Sequence, residues 1–115
     1  QIVHHLADSH LQAYSRTKWA VTEEHPTIKP YDESAWSELT DARTADVAES
    51  LALLSGLHAR WCRFLESLTT EQLARTFYHP ESREDVPVWR AVQQYAWHAR
   101  HHTAQIVWRR QQQGW

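Results

Sequence analysis

The sequence predicts an all-α fold in which helices pack side by side as a bundle. Apolar residues recur at helical spacing in three long segments, and no segment alternates apolar and polar residues long enough to require a sheet. The 115 residues include only two glycines and four prolines, and 42% of them are hydrophobic. We therefore expect one compact domain over residues 1–115, built around a single core.

The first half of the chain is predicted to contain one long helix and one loop. Helical spacing without Gly or Pro favours a helix over residues 2–24, which His25-Pro26 ends. Residues 26–45 include prolines and several small polar residues, which are typical of a loop. We expect this loop to be ordered, with a single helical turn around residues 33–39, because its aromatic residues Tyr31 and Trp36 argue for packing.

The second half begins with the clearest helix of the chain, predicted over residues 46–68, whose start either Thr44 or Asp46 can cap. Thr69 and Gln72 have the spacing of a capping box, which opens a short helix to about Arg75, and the connection over residues 77–87 looks rich in turns. The inward face of the clearest helix is predicted to carry Leu51, Leu54, Leu57 or His58, Trp61, Phe64 or Leu65, and Leu68.

A last long helix is predicted from Pro87, which is tolerated in a first helical turn, to about Gln113. Three long helices and a short one do not enclose the core of a bundle well. The sequence has no methionine and opens at Gln1 within an amphipathic run. We therefore expect an amino-terminally truncated domain, with a fourth helix supplied from before Gln1 or by a partner chain.

Composition argues against several classes of function. The formal net charge is -2 and the basic residues are scattered apart from Arg109-Arg110, so no nucleic acid partner is expected. Apolar runs are too short to span a membrane, and no signal pattern opens the chain. Cys62 is the one cysteine and lies in an apolar helical pattern, which predicts a buried core residue. These features fit a protein of the cytoplasm.

The chemistry of the sequence lies in its nine histidines. His98 and His102 are four residues apart on the last predicted helix, so their imidazoles lie one turn apart on the same face and can bind one metal ion. Ala91, Tyr95 and Ile106 share that face, which predicts that it points into the bundle. A His-x-x-x-His pair alone is a weak signal, because it arises by chance on many helices.

His5 is predicted to supply the third ligand, since it lies on the inward side of the first helix and antiparallel packing can bring it opposite the pair. Three imidazoles leave coordination positions open, which is typical of a catalytic site. They suit zinc, nickel, copper, cobalt or iron, of which we expect zinc or nickel. His4 must face about 100° away from His5. His10 and His58 are predicted to be core or polar-lining residues.

An acid or base for such a site must come from outside the pair of histidines. Ala99 follows His98 where the His-Glu-x-x-His motif of a zinc protease has its general base. Asp8 is the nearest candidate in the sequence. We expect it either to orient a ligand imidazole by accepting a hydrogen bond or to transfer a proton.

Four motifs follow one another along the chain and resemble, in the same order, those of the YfiT branch of the DinB/YfiT-like metalloenzyme family. The resemblance implies a four-helix bundle of the up-down-down-up type, usually dimeric, whose first helix is missing from this chain. It also implies that His5, His98 and His102 hold the metal. The motifs are Val3-His4-His5-Leu6-Ala7-Asp8-Ser9-His10, Pro26-Thr27-Ile28-Lys29-Pro30-Tyr31-Asp32-Glu33, Phe77-Tyr78-His79-Pro80-Glu81, and Tyr95-Ala96-Trp97-His98 with His101-His102.

Members of this family are commonly named metal-dependent hydrolases, and relatives with assigned chemistry look like thiol S-transferases. The resemblance therefore implies a divalent metal that activates water or a low-molecular-weight thiol such as bacillithiol, for transfer to an electrophile. The partners would be a small-molecule thiol and an electrophilic substrate. The sequence does not choose between the two chemistries, and we favour the thiol transferase on mechanistic grounds.

A non-catalytic helical dimer, with its histidines holding metal for stability or sensing, is the alternative. Seven tryptophans exceed what one small core needs, and Trp19, Trp97 and Trp108 can anchor a homodimer. The loop over residues 26–41 is either a wall of the pocket or a purely structural element.

Overall fold

The computed structural model describes residues 2–96 and residue 112. In this part of the chain five helices precede and flank a two-stranded antiparallel hairpin, and residues 88–96 are helical again (α6). The predicted predominance of helix is thus confirmed. The elements are α1 Ile2–Thr22, α2 Glu33–Ser37, α3 Thr40–Thr44, α4 Val47–Glu66, α5 Thr70–Leu73, β1 Thr76–His79 and β2 Glu84–Pro87.

The helix ends lie where capping residues place them. The Asp46 side chain accepts a hydrogen bond from the Ala48 amide at 2.9 Å and so caps α4. Thr69 and Gln72 form the predicted capping box of α5, in which each side chain accepts from the other residue's backbone amide. These contacts satisfy amides that have no partner inside their helices, which is why residue type alone predicted both boundaries.

The main packing joins α1 to α4 and to the hairpin. Leu57 and Trp61 are the buried residues of α4, whereas Leu51 is 53% exposed, so its predicted inward position was wrong. Cys62 was also wrongly predicted, since it is exposed. It follows Trp61 directly, and the 100° step per residue turns its side chain away from the buried stripe.

The hairpin corrects the prediction that the fold is purely helical. Residues 77–87 were expected to be a turn-rich connection, but β1 and β2 pair antiparallel with Phe77 opposite Val86. Both of these side chains are buried. Each strand is four residues long, which is too short for its alternation to be recognised in the sequence. The hairpin joins the core cluster of Ala20, Ile28, Phe77, Val86, Val88 and Ala91.

The segment between α1 and α4 is ordered, as predicted, but contains two short helices rather than a single turn. Its beginning is fixed to the hairpin by two backbone hydrogen bonds, from the Ile28 amide to the Tyr78 carbonyl and from the Tyr78 amide to the Pro26 carbonyl. Asp32 then caps α2 by accepting from the Ala35 amide at 3.0 Å. Residues 29–34 are thereby held beside α1.

Within the described residues, no helix combines the length and the apolar character needed to cross a membrane.

Candidate functional site

His4 and His5 lie side by side on α1 but have different surroundings. The His4 ring is 7% exposed, with Nδ1 2.5 Å from the Ser50 hydroxyl and Nε2 2.9 Å from the Ala45 carbonyl oxygen. Because a carbonyl only accepts, Nε2–H donates to Ala45, and the neutral ring accepts at Nδ1 from Ser50. Both ring nitrogens are therefore occupied. His4 ties α1 to the start of α4 and has no nitrogen left for a metal.

His5 is half-buried and lies close to Asp8. Burial raises the pKa of Asp8, the neighbouring Asp41 raises it further, and the charges of His5 and His4 oppose this rise. The carboxyl group is thus placed where its charge interacts with the His5 ring. This position agrees with the predicted role of Asp8 as a partner of a metal-binding imidazole, which stays a prediction.

The other two predicted ligands, His98 and His102, lie outside the described residues. Among residues 2–96 and 112, no three His, Cys, Asp or Glu side chains are grouped so that they could hold a metal ion. Because only one of the three proposed ligands belongs to that set, this observation does not test the three-histidine site. The chemistry of the donor at His5, an imidazole beside a carboxylate, fits a divalent transition metal.

His10 and His58 form a second pair of histidines, separate from His5. Nδ1 of His10 lies 2.7 Å from Nε2 of His58, and the Tyr95 ring packs edge-on against His10 with centroids 5.6 Å apart. His10 is buried and His58 is exposed, so the predicted core or lining roles fit both. The pair borders an apolar cavity of about 180 Å³ that Trp61 and Cys62 also line.

An open polar cavity of about 650 Å³ lies beside the inner face of α1. Part of the cavity wall belongs to the loop over residues 26–41. The sequence left two roles open for this loop, pocket wall or purely structural element, and in the structure it lines the cavity. Burial raises the pKa of Tyr31 to about 12, with further rises from Glu33, Tyr95 and Asp8 and an opposing effect of Ser9. The cavity is lined by Arg16, Pro30, Tyr31, Asp32, Glu33, Ser34, His79, Glu81 and Tyr95.

Tyr95 closes the same cavity from α6. Burial raises its pKa, and the Arg16 charge and the Ser9 hydroxyl oppose the rise. Ser9 is 2% exposed and lowers the pKa of Tyr31 as well, so it lies between the two phenols. The charge of Asp8 also raises the pKa of Tyr31, so the carboxyl group beside His5 interacts electrostatically with a residue that lines the cavity.

Sequence reasoning missed Ser9 and Arg16. Their signal was present: His5, Ser9 and Arg16 are separated by four and seven residues, so all three lie on one face of α1. Ala13 lies on that face as well and is buried. A polar stripe on the buried side of a helix is the pattern that could have identified them.

The family follows from comparison with known proteins. The model of the DinB superfamily matches residues 1–106. This chain belongs to the DinB superfamily. Its relatives include YfiT of Bacillus subtilis (strain 168), 51% identical over all 115 residues, and a protein of Geobacillus kaustophilus (strain HTA426), 46% identical over the same length. Both relatives carry the name "putative metal-dependent hydrolase".

A solved structure of YfiT from Bacillus subtilis matches the whole of this chain with a TM-score of 0.97 and 51% identity, and the match covers 66% of the YfiT chain. Its fold is described as a four-helix bundle of unusual topology. The DinB/YfiT resemblance is thus confirmed, together with a mostly helical fold like that of this bundle. The chain spans about 65% of the length of the two relatives named above.

Proposed function

We propose that this DinB-superfamily protein is a divalent-metal-dependent enzyme, with the metal held by His5, His98 and His102. The observation that carries the proposal is the contrast between the two neighbouring histidines of α1. His4 uses both ring nitrogens in contacts with Ser50 of α4 and with the carbonyl of Ala45 before it, whereas His5 lies close to the Asp8 carboxyl group. The names of the relatives, which call them metal-dependent, support the dependence on a metal.

When bound, such a cation lowers the pKa of a water or thiol ligand and so provides a nucleophile at neutral pH. The chain's own residues then set the surroundings. Asp8 accepts a hydrogen bond that fixes the orientation of an imidazole, or holds a proton during the reaction. Tyr31, with a pKa raised to about 12, keeps its proton at neutral pH and donates a hydrogen bond to a substrate oxygen.

We propose a thiol as the nucleophile and an electrophilic small molecule as its acceptor, with water, and hence hydrolysis, as the alternative. Zinc or nickel are the proposed metals. The support for an organic thiol is the size and polarity of the cavity that Arg16 and Tyr31 line: about 650 Å³ accommodates a small organic molecule.

Cobalt substitution tests the proposal. We expect one cobalt per chain and a new thiolate-to-cobalt absorption band that saturates on titration with 2-mercaptoethanol. Cobalt binding without that band would shift the assignment to hydrolysis, and a site that excludes both thiol and exchangeable water would indicate a structural metal. A folded protein that binds no cobalt would contradict the proposal. His4→Ala is the matched control, because it removes a neighbouring histidine that has both nitrogens occupied.

A non-catalytic homodimer is the second candidate. Trp19 favours it, because this large apolar side chain is 43% exposed on α1. Trp97 and Trp108, the other two proposed anchors, lie outside the described residues. Sedimentation of the wild type and of Trp19→Ala distinguishes the cases: a dimer that dissociates in the variant supports this interface, and an unchanged mass rejects it.

A further inference from the structure

Arg16 is a buried cation that has no carboxylate partner in the described part of the chain. The residue is 7% exposed, and no Asp or Glu oxygen of residues 2–96 lies within ion-pair distance of its guanidinium. Its Nη2 donates to the Lys29 carbonyl oxygen at 3.4 Å, which is a long contact. Its Nε is buried and has no hydrogen-bond partner among these residues. The Arg16 side chain also hydrogen-bonds with Tyr95. Neither this phenol nor the Lys29 carbonyl supplies a negative charge, so an anionic ligand would stabilise the buried cation.

The Tyr31 hydroxyl is a second unsatisfied donor at the same cavity. Its oxygen is buried and makes no hydrogen bond of good geometry within the described residues, although the Ser9 hydroxyl lies near enough to lower its pKa. Arg16 and Tyr31 both line the polar cavity, Arg16 from α1 and Tyr31 from the loop that Asp32 anchors. Two donors with unused capacity therefore line one cavity, and an anionic oxygen ligand would satisfy both.

The other charged groups at the cavity limit what this ligand can be. Asp32, Glu33 and Glu81 line it too, and all three residues are exposed. Asp32 is engaged as the cap of α2. Water screens exposed carboxylates strongly, but three of them disfavour a ligand with several negative charges. A single carboxylate suits this arrangement better than a phosphate group does, and its two oxygens match the fork of donors on a guanidinium.

We propose that Arg16 and Tyr31 bind a carboxylate group of the substrate in this cavity. The site rests on the proposed function, in that the carboxylate belongs to the small molecule that reacts beside His5. Arg16 then acts as a specificity residue: it selects acids over their neutral analogues and fixes the reacting end of the molecule toward the metal-binding histidine.

The test compares two thiols of similar size, of which only one carries a carboxylate: 3-mercaptopropionate and its methyl ester. Calorimetric titration of the metal-loaded wild-type protein is expected to show the acid binding about tenfold more tightly or better, the usual effect of a charge-assisted hydrogen bond. Arg16→Gln is expected to abolish the preference by weakening the binding of the acid to about the level of the ester. Arg63→Gln, on the exposed surface of α4, is the matched control and keeps the preference.

Equal affinity of the wild type for acid and ester would overturn the proposal, and so would a preference that survives in Arg16→Gln. Arg16→Lys keeps the positive charge, and it replaces Arg16→Gln in the comparison of acid and ester if the glutamine variant fails to fold. We expect it to retain part of the preference. A preference that the lysine variant loses entirely, in a folded protein, would contradict a role for the charge.

Failure of the metal–thiol chemistry has a different signature. In that case neither thiol binds, and propionate is titrated instead into ¹⁵N-labelled protein treated with a chelator. The carboxylate site predicts a saturable shift of the Arg16 Nε–H resonance, identified by its absence in Arg16→Gln. No shift at that resonance would reject the carboxylate site independently of any metal.

Discussion

Replacing His4 by Ala removes the contacts that tie the beginning of α1 to α4. The variant loses the hydrogen bonds of both ring nitrogens, to Ser50 Oγ and to the Ala45 carbonyl oxygen. At about 1 kcal/mol for each hydrogen bond, plus about 1 kcal/mol for the buried ring carbon atoms, the loss is about 2–4 kcal/mol. That is a large share of the roughly 5–15 kcal/mol that stabilises an ordinary domain.

The assay is urea unfolding followed by circular dichroism, on protein freed of metal by a chelator so that ligand binding does not contribute to stability. Ser50→Ala provides the second variant, with an expected cost of about 1 kcal/mol. A double-mutant cycle of the two should give a coupling energy of about 0.5–1.5 kcal/mol.

Metal content completes the test of His4. The variant should bind as much metal as the wild type, because neither ring nitrogen of His4 is available to a metal. A destabilisation below about 1 kcal/mol, with no coupling to Ser50, would refute the assigned hydrogen bonds. Loss of metal stoichiometry in a folded His4→Ala protein would refute the distinction between His4 and His5.

Other predictions address the cavity, the candidate site and the hairpin. Burial raises the pKa of Tyr31 from 10.0 to about 12, so Tyr31→Phe should remove the last component of the tyrosinate absorbance titration. The same raised pKa means that the wild type loses stability as pH rises from about 10 to about 12, and Tyr31→Phe should lose less in that window. If Asp8 orients a metal ligand, Asp8→Asn should weaken metal affinity about 10- to 100-fold in a competition assay, and an unchanged affinity would remove Asp8 from the site. The Phe77 side chain is only 4% exposed. Phe77→Ala should therefore lower the free energy of unfolding, measured by chemical denaturation, by about 3–5 kcal/mol. Asp85→Ala on the same hairpin is the control, because it removes only an exposed ion pair with His25. It should lower the free energy of unfolding by less than about 1 kcal/mol. Equal losses in the two variants would contradict the buried position of Phe77.

Local signals in the sequence predicted the helices well because each boundary depends on neighbouring residues. Asp46 caps α4 and Thr69 with Gln72 caps α5, as their spacing indicated. The hairpin was missed because it is stabilised by distant residues. Phe77 and Val86 are buried against α1 and Ile28, and strands of four residues carry too little periodicity to reveal this.

The site was predictable in part for the same reason. The separation of His4 and His5 followed from helix geometry, and the structure gives the two rings different surroundings. The cavity could not be foreseen, since it forms only where α1 meets the loop around Tyr31 and the beginning of α6. Arg16 was overlooked because an arginine in an amphipathic helix usually lies on the exposed face.

The metal content of His5→Ala tests the central claim most directly. Purified wild-type protein, His4→Ala and His5→Ala are loaded with zinc, passed through a desalting column and analysed for zinc per chain, with folding confirmed by circular dichroism. The three-histidine site predicts one zinc per chain in the wild type and in His4→Ala, and a loss of stoichiometric zinc in His5→Ala. A folded His5→Ala protein that retains one zinc per chain would contradict the assignment.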